Sequence, residues 1–315
     1  MVKAPVRFSW SRIELMYYFR TLLITVTMPV LFAGCSSSNL PGATQSDKVE
    51  AEVNPSPSAA PDQPKGPTLD ELLLFFPAKY PEGEWKPKGL RFEDAWFTAK
   101  DGTRIHGWYC PCEKPRAILL LAHGNAGNLS YLSGLLQYFQ NDLRITTLAF
   151  DYRGYGRSDG VATVEGVLED ARAARSFLAK RAEVKEAEIV LMGRSLGGAI
   201  VVQVAAEDAP RGLVLESTFS SLGDVATYHY GAVAASLIPA DRLNSAARIG
   251  RYKGPLLLSH GDADRTIPYS LGLKLFEAAN EPKRLVTIRG GDHNDTQSNE
   301  YFRELDRFIG ELPRD

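Results

Sequence analysis

Short, continuous apolar runs recur along the chain after residue 68, and polar or mixed stretches separate them. Runs of this kind, with no alternation of polar and apolar positions, are typical of strands covered on both faces, as in a parallel sheet. We therefore predict one mostly parallel central sheet. Its predicted strands are Ala117–Ala122, Ile145–Phe150, Ile189–Met192, Leu213–Leu215, Leu256–Leu258 and Leu285–Ile288.

Helical patterns lie between these runs. From Val164 to Lys180, for example, apolar residues recur along one stripe. The alternation of strands and helices predicts an α/β fold, doubly wound, with helices on both faces of the sheet and right-handed crossovers. Ligands of such folds bind beyond the carboxyl ends of the strands, so we expect the chemistry directly after the apolar runs.

Two segments depart from this alternation. Arg91–Ala99 and Arg104–Cys110 predict two antiparallel strands, because the Asp-Gly pair at 101–102 between them is a hairpin signal. Val225–Gly250 is apolar, carries aromatic residues and is broken by Pro239. We interpret it as a small helical cap inserted over the strand ends. An ordinary crossover helix with a long loop is the alternative.

The first residues follow a different pattern. Residues 1–34 combine a basic start, the apolar run Leu22–Ala33 and small residues, as a secretory signal peptide does, and the run is too short to span a bilayer. Residues 32–35 resemble the lipobox of bacterial lipoproteins, in which the cysteine thiol, here Cys35, receives a diacylglyceryl group. The lipobox usually has Leu, Val or Ile where Phe32 stands. A plain signal peptide, or an uncleaved anchor with an incidental Cys35, is the alternative.

Residues 35–67 are predicted to form a flexible tether, since they are rich in Ser, Pro and Ala and have no apolar period. At about 5–6 Å × √n, a tether of this length holds the following domain, residues 68–315, some tens of Å from a membrane. We therefore expect a lipid-anchored protein of the bacterial cell envelope. Ser36, directly after the cysteine, favours the outer membrane over the inner one.

Composition narrows the function further. The 315 residues include 36 Lys and Arg against 38 Asp and Glu, a formal net charge of −2. This balance argues against a nucleic-acid partner, because neutralising phosphates requires a basic surplus. Three cysteines are too few for a disulfide scaffold. Cys110 and Cys112 are expected to be free thiols, because they lack further metal ligands and a bridge between them would be strained.

The sequence Gly193-Arg194-Ser195-Leu196-Gly197-Gly198 joins a predicted strand to a helical stretch. G-x-S-x-G in this context predicts a nucleophile elbow, because the glycines let strand and helix backbones approach closely while Ser195 projects from the apex. The helix N-terminus would favour a developing alkoxide. A plain glycine-rich turn is the alternative.

A serine nucleophile needs a base and a carboxylate that orients the base, each placed after a later strand. Among five histidines, His293 lies in a turn-rich loop after the last apolar run and is predicted to be the base. A surface-loop histidine is the alternative. Asp262 and Asp264 both follow the run at 256–258. We predict Asp264, deeper in the loop, as the carboxylate and Asp262 as a turn cap.

The oxyanion of a tetrahedral intermediate needs two backbone N–H donors. Leu196, directly after the nucleophile, is predicted to supply one, and Asn125 in the loop at 123–128 the other. This loop lacks the Lys and Ser/Thr of a nucleotide-binding P-loop. Asp151 and Arg153, after the run Ile145–Phe150, are expected to brace the oxyanion loop rather than to act in catalysis.

From about Arg91 to Glu311 the chain resembles the α/β-hydrolase superfamily, and more narrowly the Bem46-like group and the ABHD-type depalmitoylases. The resemblance rests on five motifs in order, at 123–128, 150–158, 193–198, 260–268 and 293–295. It implies the α/β-hydrolase fold, the triad Ser195, Asp264 and His293, and hydrolysis of an ester, thioester or amide without metal or cofactor. It does not imply a particular substrate.

The function expected from these features is that of an envelope-tethered serine hydrolase. It would cleave a carboxylic ester or thioester of a small acylated substrate through an acyl-enzyme intermediate. One alternative is a serine peptidase or amidase of the same fold, and another is a non-catalytic α/β-hydrolase scaffold used for binding. The serine at 195 excludes an enzyme with an aspartate nucleophile, such as a dehalogenase or an epoxide hydrolase.

Overall fold

A computed structural model of the chain describes residues 66–313. The predicted signal peptide, Cys35 and nearly all of the predicted tether lie outside the described residues. The strands of the described part are β1 (Glu93–Thr98), β2 (Arg104–Cys110), β3 (Ala117–Ala122), β4 (Ile145–Phe150), β5 (Ile189–Arg194), β6 (Gly212–Glu216), β7 (Leu256–Gly261) and β8 (Lys283–Ile288).

All of these strands belong to one sheet, in the order β1-β2-β4-β3-β5-β6-β7-β8. The β1–β2 and β2–β4 pairs are antiparallel, and every other pair is parallel. The structure thus confirms the predicted hairpin and the mostly parallel sheet. Because β3 and β5 are neighbours at the centre, the loops that follow them meet at the same edge of the sheet.

Helices cover both faces of this sheet. They are α1 (Leu69–Leu74), α2 (Ser133–Asn141), α3 (Val164–Ala182), α4 (Leu196–Glu207), α5 (Leu222–Ala235), α6 (Ser245–Ile249), α7 (Tyr269–Ala278) and α8 (Asn299–Glu311). Side chains of α2 and α8 pack against one face of the sheet, and those of α3, α4, α6 and α7 pack against the other. No helix within residues 66–313 is long and apolar enough to cross a membrane.

Strand β3 is apolar throughout because both of its faces are covered. In β3, Leu119 and Leu121 belong to the core under α2 and α8, whereas Leu120 and Ala122 belong to the core under α3 and α4. At roughly 25 cal/mol per Å² of buried apolar surface, these two cores supply the main stabilisation of the fold. They also hold the carboxyl ends of β3 and β5 rigidly side by side.

The segment predicted as a helical cap divides into two parts. Helix α5 starts at Leu222, three residues before the predicted boundary, and is kinked at Gly231, where φ is +81°. Tyr230 and Val233 on this helix are largely exposed. By contrast, Ile249 of α6 is buried in the core, as expected of a crossover helix. Helix α6 therefore packs as a crossover helix, and a cap over the strand ends stays a prediction for α5.

Candidate active site

Ser195 sits at a sharp turn between β5 and α4. Its φ of 52° and ψ of −118° are strained for a residue with a side chain. The strain is held in place by two hydrogen bonds, in which the Ser195 N–H donates to the Glu216 carbonyl at 2.8 Å and Thr218 Oγ1 donates to the Ser195 carbonyl at 2.7 Å. The turn directs a half-buried Oγ above the sheet edge.

Glycines are required on both sides of this turn. A Cβ at Gly193 would lie 2.3 Å from the Gly197 carbonyl oxygen, and a Cβ at Gly197 would lie 2.1 Å from the Ala122 carbonyl oxygen. Both distances are far below van der Waals contact. The close approach of β5, α4 and β3 that forms the elbow is therefore possible only for glycine at these positions.

The structure brings Ser195, His293 and Asp264 into one hydrogen-bonded chain, although they lie on three different loops. Ser195 Oγ is 3.1 Å from His293 Nε2, and His293 Nδ1 is 2.7 Å from Asp264 Oδ2. The carboxylate can only accept a hydrogen bond, so His293 Nδ1 carries the proton and donates to it. The other ring nitrogen, Nε2, is then free to accept a hydrogen bond from the serine hydroxyl. The arrangement can therefore deprotonate Ser195 as it attacks.

Asp264 is held ionised by its surroundings. Burial alone would raise the pKa of its carboxyl, but hydrogen bonds from His260 and His293 and from the Ile267 N–H outweigh burial and hold the pKa well below its usual value. The Thr266 and Ile267 N–H groups both donate to Oδ1, at 2.9 and 2.8 Å. Asp264 therefore presents a fixed negative charge to the imidazole.

His293 is held in its neutral form for a different reason. Burial is the largest influence, and it lowers the pKa of the imidazole below 6.5 because the charged form would lose hydration. Asp264 opposes this shift, whereas Arg194 and His260 add to it. At neutral pH His293 is therefore available as a base.

The loop after β3 lies directly against Ser195. A Cβ at Gly124 would be 3.6 Å from the Ser195 Cβ, and Asn125 is the next residue of this loop. In the part of the chain that the structure describes, the backbone N–H groups of Asn125 and Leu196 donate to no protein atom. The two N–H groups predicted to form the oxyanion hole are thus available to a ligand.

Comparison with known proteins identifies the family. The profile of the family described as serine aminopeptidase S33 matches residues 113–240. The protein YfhR of Salmonella typhi is 35% identical over 247 residues, which cover 70% of this chain and 82% of YfhR. The chain belongs to the α/β-hydrolase superfamily. Bem46 of Schizosaccharomyces pombe is 27% identical over 257 residues, covering 76% of this chain and 86% of Bem46, in agreement with the narrower resemblance.

Solved structures share the same architecture. The esterase Pf2001 of Pyrococcus furiosus superposes with a TM-score of 0.63 at 19% sequence identity, over 76% of this chain and 96% of the esterase. At this level of identity the similarity describes the α/β-hydrolase fold alone.

In this α/β-hydrolase the loop after β4 braces the oxyanion loop. Asp151, fully buried, accepts from the Leu129 N–H at 2.7 Å, and Tyr152 Oη donates to the His123 carbonyl at 2.8 Å. Arg153 pairs with buried Asp170 through Nε and Nη2. Asp151 and Tyr152 therefore brace the loop after β3, as expected of Asp151. Arg153 does not contact that loop in these hydrogen bonds, because it pairs with Asp170 on α3 and with Asp101 in the β1–β2 turn.

Several residues around the triad were not predicted as functional. His260 Nε2 lies 3.2 Å from Asp264 Oδ2 and 2.8 Å from the Ile267 carbonyl, so it is a second partner of the triad carboxylate. Arg194 donates to the His293 carbonyl and so holds the base loop. For His260 the only available signal was its spacing of four residues before Asp264. Arg194 gave no signal beyond its place beside Ser195.

The loops that carry Asp264 and His293 are also joined to each other. Exposed Arg265 donates through Nε to Asp292 Oδ2 at 2.9 Å, and the His293 N–H donates to Asp292 Oδ1 at 2.9 Å. Asp262, the other candidate for the carboxylate, accepts from the Gly290 N–H at 2.6 Å in the loop after β8, so it joins the two loops rather than capping the turn of its own loop as predicted.

Predictions were also made for the two thiols and for helix α5. Cys110 and Cys112 are free thiols, as predicted, and burial raises the pKa of Cys110 to about 12. No cluster of three or more His, Cys, Asp or Glu side chains within residues 66–313 is arranged to hold a metal ion. The helix α5 approaches the triad, because His229 Nε2 lies 2.8 Å from the Thr266 carbonyl in the loop of Asp264.

Proposed function

We propose that the protein is a serine hydrolase that cleaves carboxylic esters or thioesters through an acyl-enzyme intermediate. The observation that carries this proposal is the chain from Ser195 Oγ to His293 Nε2 at 3.1 Å and from His293 Nδ1 to Asp264 Oδ2 at 2.7 Å, beside two unpaired backbone N–H groups.

In the first step Ser195 Oγ attacks the carbonyl carbon of the substrate, and its proton passes to His293 Nε2. The carbonyl oxygen becomes an oxyanion, which accepts from the N–H groups of Asn125 and Leu196. Asp264 stabilises the imidazolium that forms. His293 then gives its proton to the leaving alcohol or thiol as the bond to the carbonyl carbon breaks, and an acyl-serine remains.

In the second step water attacks the acyl-serine and passes a proton to His293 Nε2. The second tetrahedral intermediate uses the same two N–H groups, and collapse of that intermediate releases the carboxylic acid while His293 returns the proton to Ser195 Oγ. No atom outside the described site and water is needed to complete this cycle.

The proposal is tested with full-length protein in detergent, by labelling with a fluorophosphonate and by turnover of p-nitrophenyl esters of increasing acyl length. Ser195→Ala should abolish labelling and lower kcat by about 10⁴–10⁶. Ser236→Ala, an exposed serine on the cap side, should leave both unchanged. Absence of labelling and of turnover in the wild-type protein at every acyl length would contradict the proposal.

A peptidase or amidase is the second candidate, favoured by the match to a family described as serine aminopeptidase. The two are separated by measuring kcat/KM for an ester and an amide of the same acyl group. We expect the ester to be preferred. The non-catalytic alternative is tested in cells from which the gene has been deleted. The Ser195→Ala variant should rescue the deletion phenotype only if the protein acts by binding rather than by catalysis.

We further propose that Cys35 is the lipid-bearing residue that anchors this domain in the bacterial envelope, at the outer membrane rather than the inner one. The lipobox-like residues 32–35, followed by Ser36, support this. Cells grown with an alkyne fatty acid should label the wild-type protein and Cys112→Ser, but not Cys35→Ser. Unlabelled wild-type protein, or labelled Cys35→Ser, would overturn the anchor without affecting the proposed hydrolysis.

A further inference from the structure

The oxyanion loop is held from outside by the segment that precedes β1. We call residues 68–82 the N-terminal arm. Pro77 pairs with Gly127 in a parallel bridge, and the Ala78 N–H donates to the Gly127 carbonyl at 3.0 Å. Asn128 Nδ2 donates to the Glu82 carbonyl at 2.8 Å. The arm therefore lies along the loop that carries Asn125.

The side chain of Asn125 is the central link between arm and loop. Its Oδ1 accepts from the N–H groups of Phe76 and Ala126, at 3.1 and 2.9 Å, and from Tyr155 Oη at 2.7 Å. Its Nδ2 donates to the Leu74 carbonyl. The side chain is thus fixed on the arm, while the backbone N–H of the same residue donates to no atom of the described chain.

The loop needs this support because its backbone is unfavourable. Ala126 has φ of +66° and Gly127 has φ of +70°, so two consecutive residues are left-handed. A left-handed alanine costs on the order of 1 kcal/mol and persists only where its surroundings impose it. Asn125 directly precedes this pair, so release of its side chain would let the orientation of its peptide change.

Tyr155, in the loop after β4, also holds the Asn125 side chain, because its Oη donates to Asn125 Oδ1. Its side chain is fully buried, and burial raises the pKa of its hydroxyl, so the hydroxyl keeps its proton and remains a donor to Asn125. The Phe76 N–H also donates to Tyr155 Oη, at 3.2 Å. Arm, tyrosine and asparagine therefore share one hydrogen-bond network.

The arm is itself anchored at its other end. Glu71 is buried and accepts from the Val164 N–H at 2.8 Å and from Arg242 Nη1 at 2.7 Å. Burial alone would raise the pKa of Glu71, but hydrogen bonds from Thr68 and Val164 and the charge of Arg242 lower it overall. The arm thus connects the oxyanion loop to α3 and to the segment that follows α5.

We propose that the Asn125 side chain and Tyr155 are positioning residues, which clamp the oxyanion loop to the N-terminal arm and so hold the Asn125 N–H toward the developing oxyanion. This inference rests on the proposed serine hydrolysis. It gives the side chain of Asn125 a role separate from that of its backbone.

Asn125→Ala and Tyr155→Phe in the full-length protein test the inference. Asn125→Ala keeps the backbone donor and removes the clamp, so kcat should fall toward the 10²–10³-fold loss typical of a missing oxyanion donor. Tyr155→Phe removes one hydrogen bond and should lower kcat about fivefold to tenfold. KM should change by less than about threefold in both variants, since ground-state binding is kept.

A trifluoromethyl ketone distinguishes positioning from simple loss of stability, because its serine adduct carries the oxyanion. Its affinity should fall in each variant by the same factor as kcat/KM. The matched control is Tyr252→Phe, which removes a buried hydroxyl that donates to the Pro255 carbonyl at 3.0 Å, away from the site. Tyr252→Phe should lower thermal stability without changing kcat or inhibitor affinity.

Wild-type kcat and inhibitor affinity in Tyr155→Phe and Asn125→Ala would overturn the inference while leaving the proposed hydrolysis intact. A wild-type protein that neither labels nor turns over esters would overturn the proposed function and this inference with it. Tyr155→Phe keeps the ring in the core, so it decides the question if Asn125→Ala does not fold.

Discussion

Gly197→Ala is expected to move Ser195 away from the backbone N–H of Asn125. The added Cβ would lie 2.1 Å from the Ala122 carbonyl oxygen and 2.5 Å from that of His123. Both atoms are backbone at the end of β3 and cannot rotate away. To restore contacts above 3 Å, α4 must move away from β3 by about 1 Å, which carries Ser195 away from Asn125.

The size of the effect follows from this displacement. Overpacking of a well-packed interior costs about 1–3 kcal/mol. In a domain of this size each kcal/mol lowers Tm by roughly 2–4 °C, so we expect a loss of about 2–12 °C. A misplacement of about 1 Å at a reacting centre lowers kcat by roughly 10²-fold. The variant should therefore remain folded at room temperature and be poorly active.

Thermal unfolding by circular dichroism and hydrolysis of a short p-nitrophenyl ester measure the two effects. Gly223→Ala in α5 is the control, since a Cβ there meets only Ser221 Oγ at 3.9 Å. It should leave kcat unchanged and shift the free energy of unfolding by less than about 1 kcal/mol, in the stabilising direction. Wild-type Tm and kcat in Gly197→Ala would refute the close approach on which the elbow depends.

Three further predictions concern protonation, a buried ion pair and the thiols. Because the pKa of His293 is lowered and its neutral form is the base, kcat/KM should rise with pH through a midpoint below 6.5; a pH profile with a midpoint above 6.5 contradicts this. Arg153→Met leaves Asp170 buried and unpaired, so urea unfolding should show a loss of about 3–5 kcal/mol, and a loss below 1 kcal/mol would argue against the pair. A thiol reagent should modify half-buried Cys112 in the native protein and Cys110 only after denaturation, and equal native rates would contradict the burial of Cys110.

The bounds of a strand were predictable where its side chains are buried on both faces almost from end to end. The apolar runs Ala117–Ala122 and Ile145–Phe150 coincide with β3 and β4, because these strands are buried along almost their whole length. The other parallel strands, β5 to β8, extend beyond their apolar runs. β5 continues to Arg194 and β7 to Gly261, since the backbone ladder persists where the side chains turn polar to form the site. A prediction from hydrophobicity alone therefore places the ends of these two strands too early.

The hydrogen-bonded chain of Ser195, His293 and Asp264 was predictable because these residues follow strands whose ends converge. Ser195 was indicated by its glycines, and Asp264 and His293 by their places in loops after later strands. The order of these loops along the sheet brings them together, and the hydrogen bonds at 3.1 and 2.7 Å follow from that convergence. Local pattern and topology therefore agree on which side chains meet at this site.

The N-terminal arm could not be found in the same way. Its helix α1 has six residues, and most of its contacts with the oxyanion loop use backbone N–H and C=O groups, which every sequence possesses. The Phe76 N–H meets Asn125 across 49 positions and Tyr155 across 79. A period of apolar residues reports which face of an element is buried, but not which distant loop its peptide groups will meet. Contacts of this kind are therefore found only in the packed structure. Asn125 illustrates this, because its motif points to the backbone N–H while its side chain holds the arm.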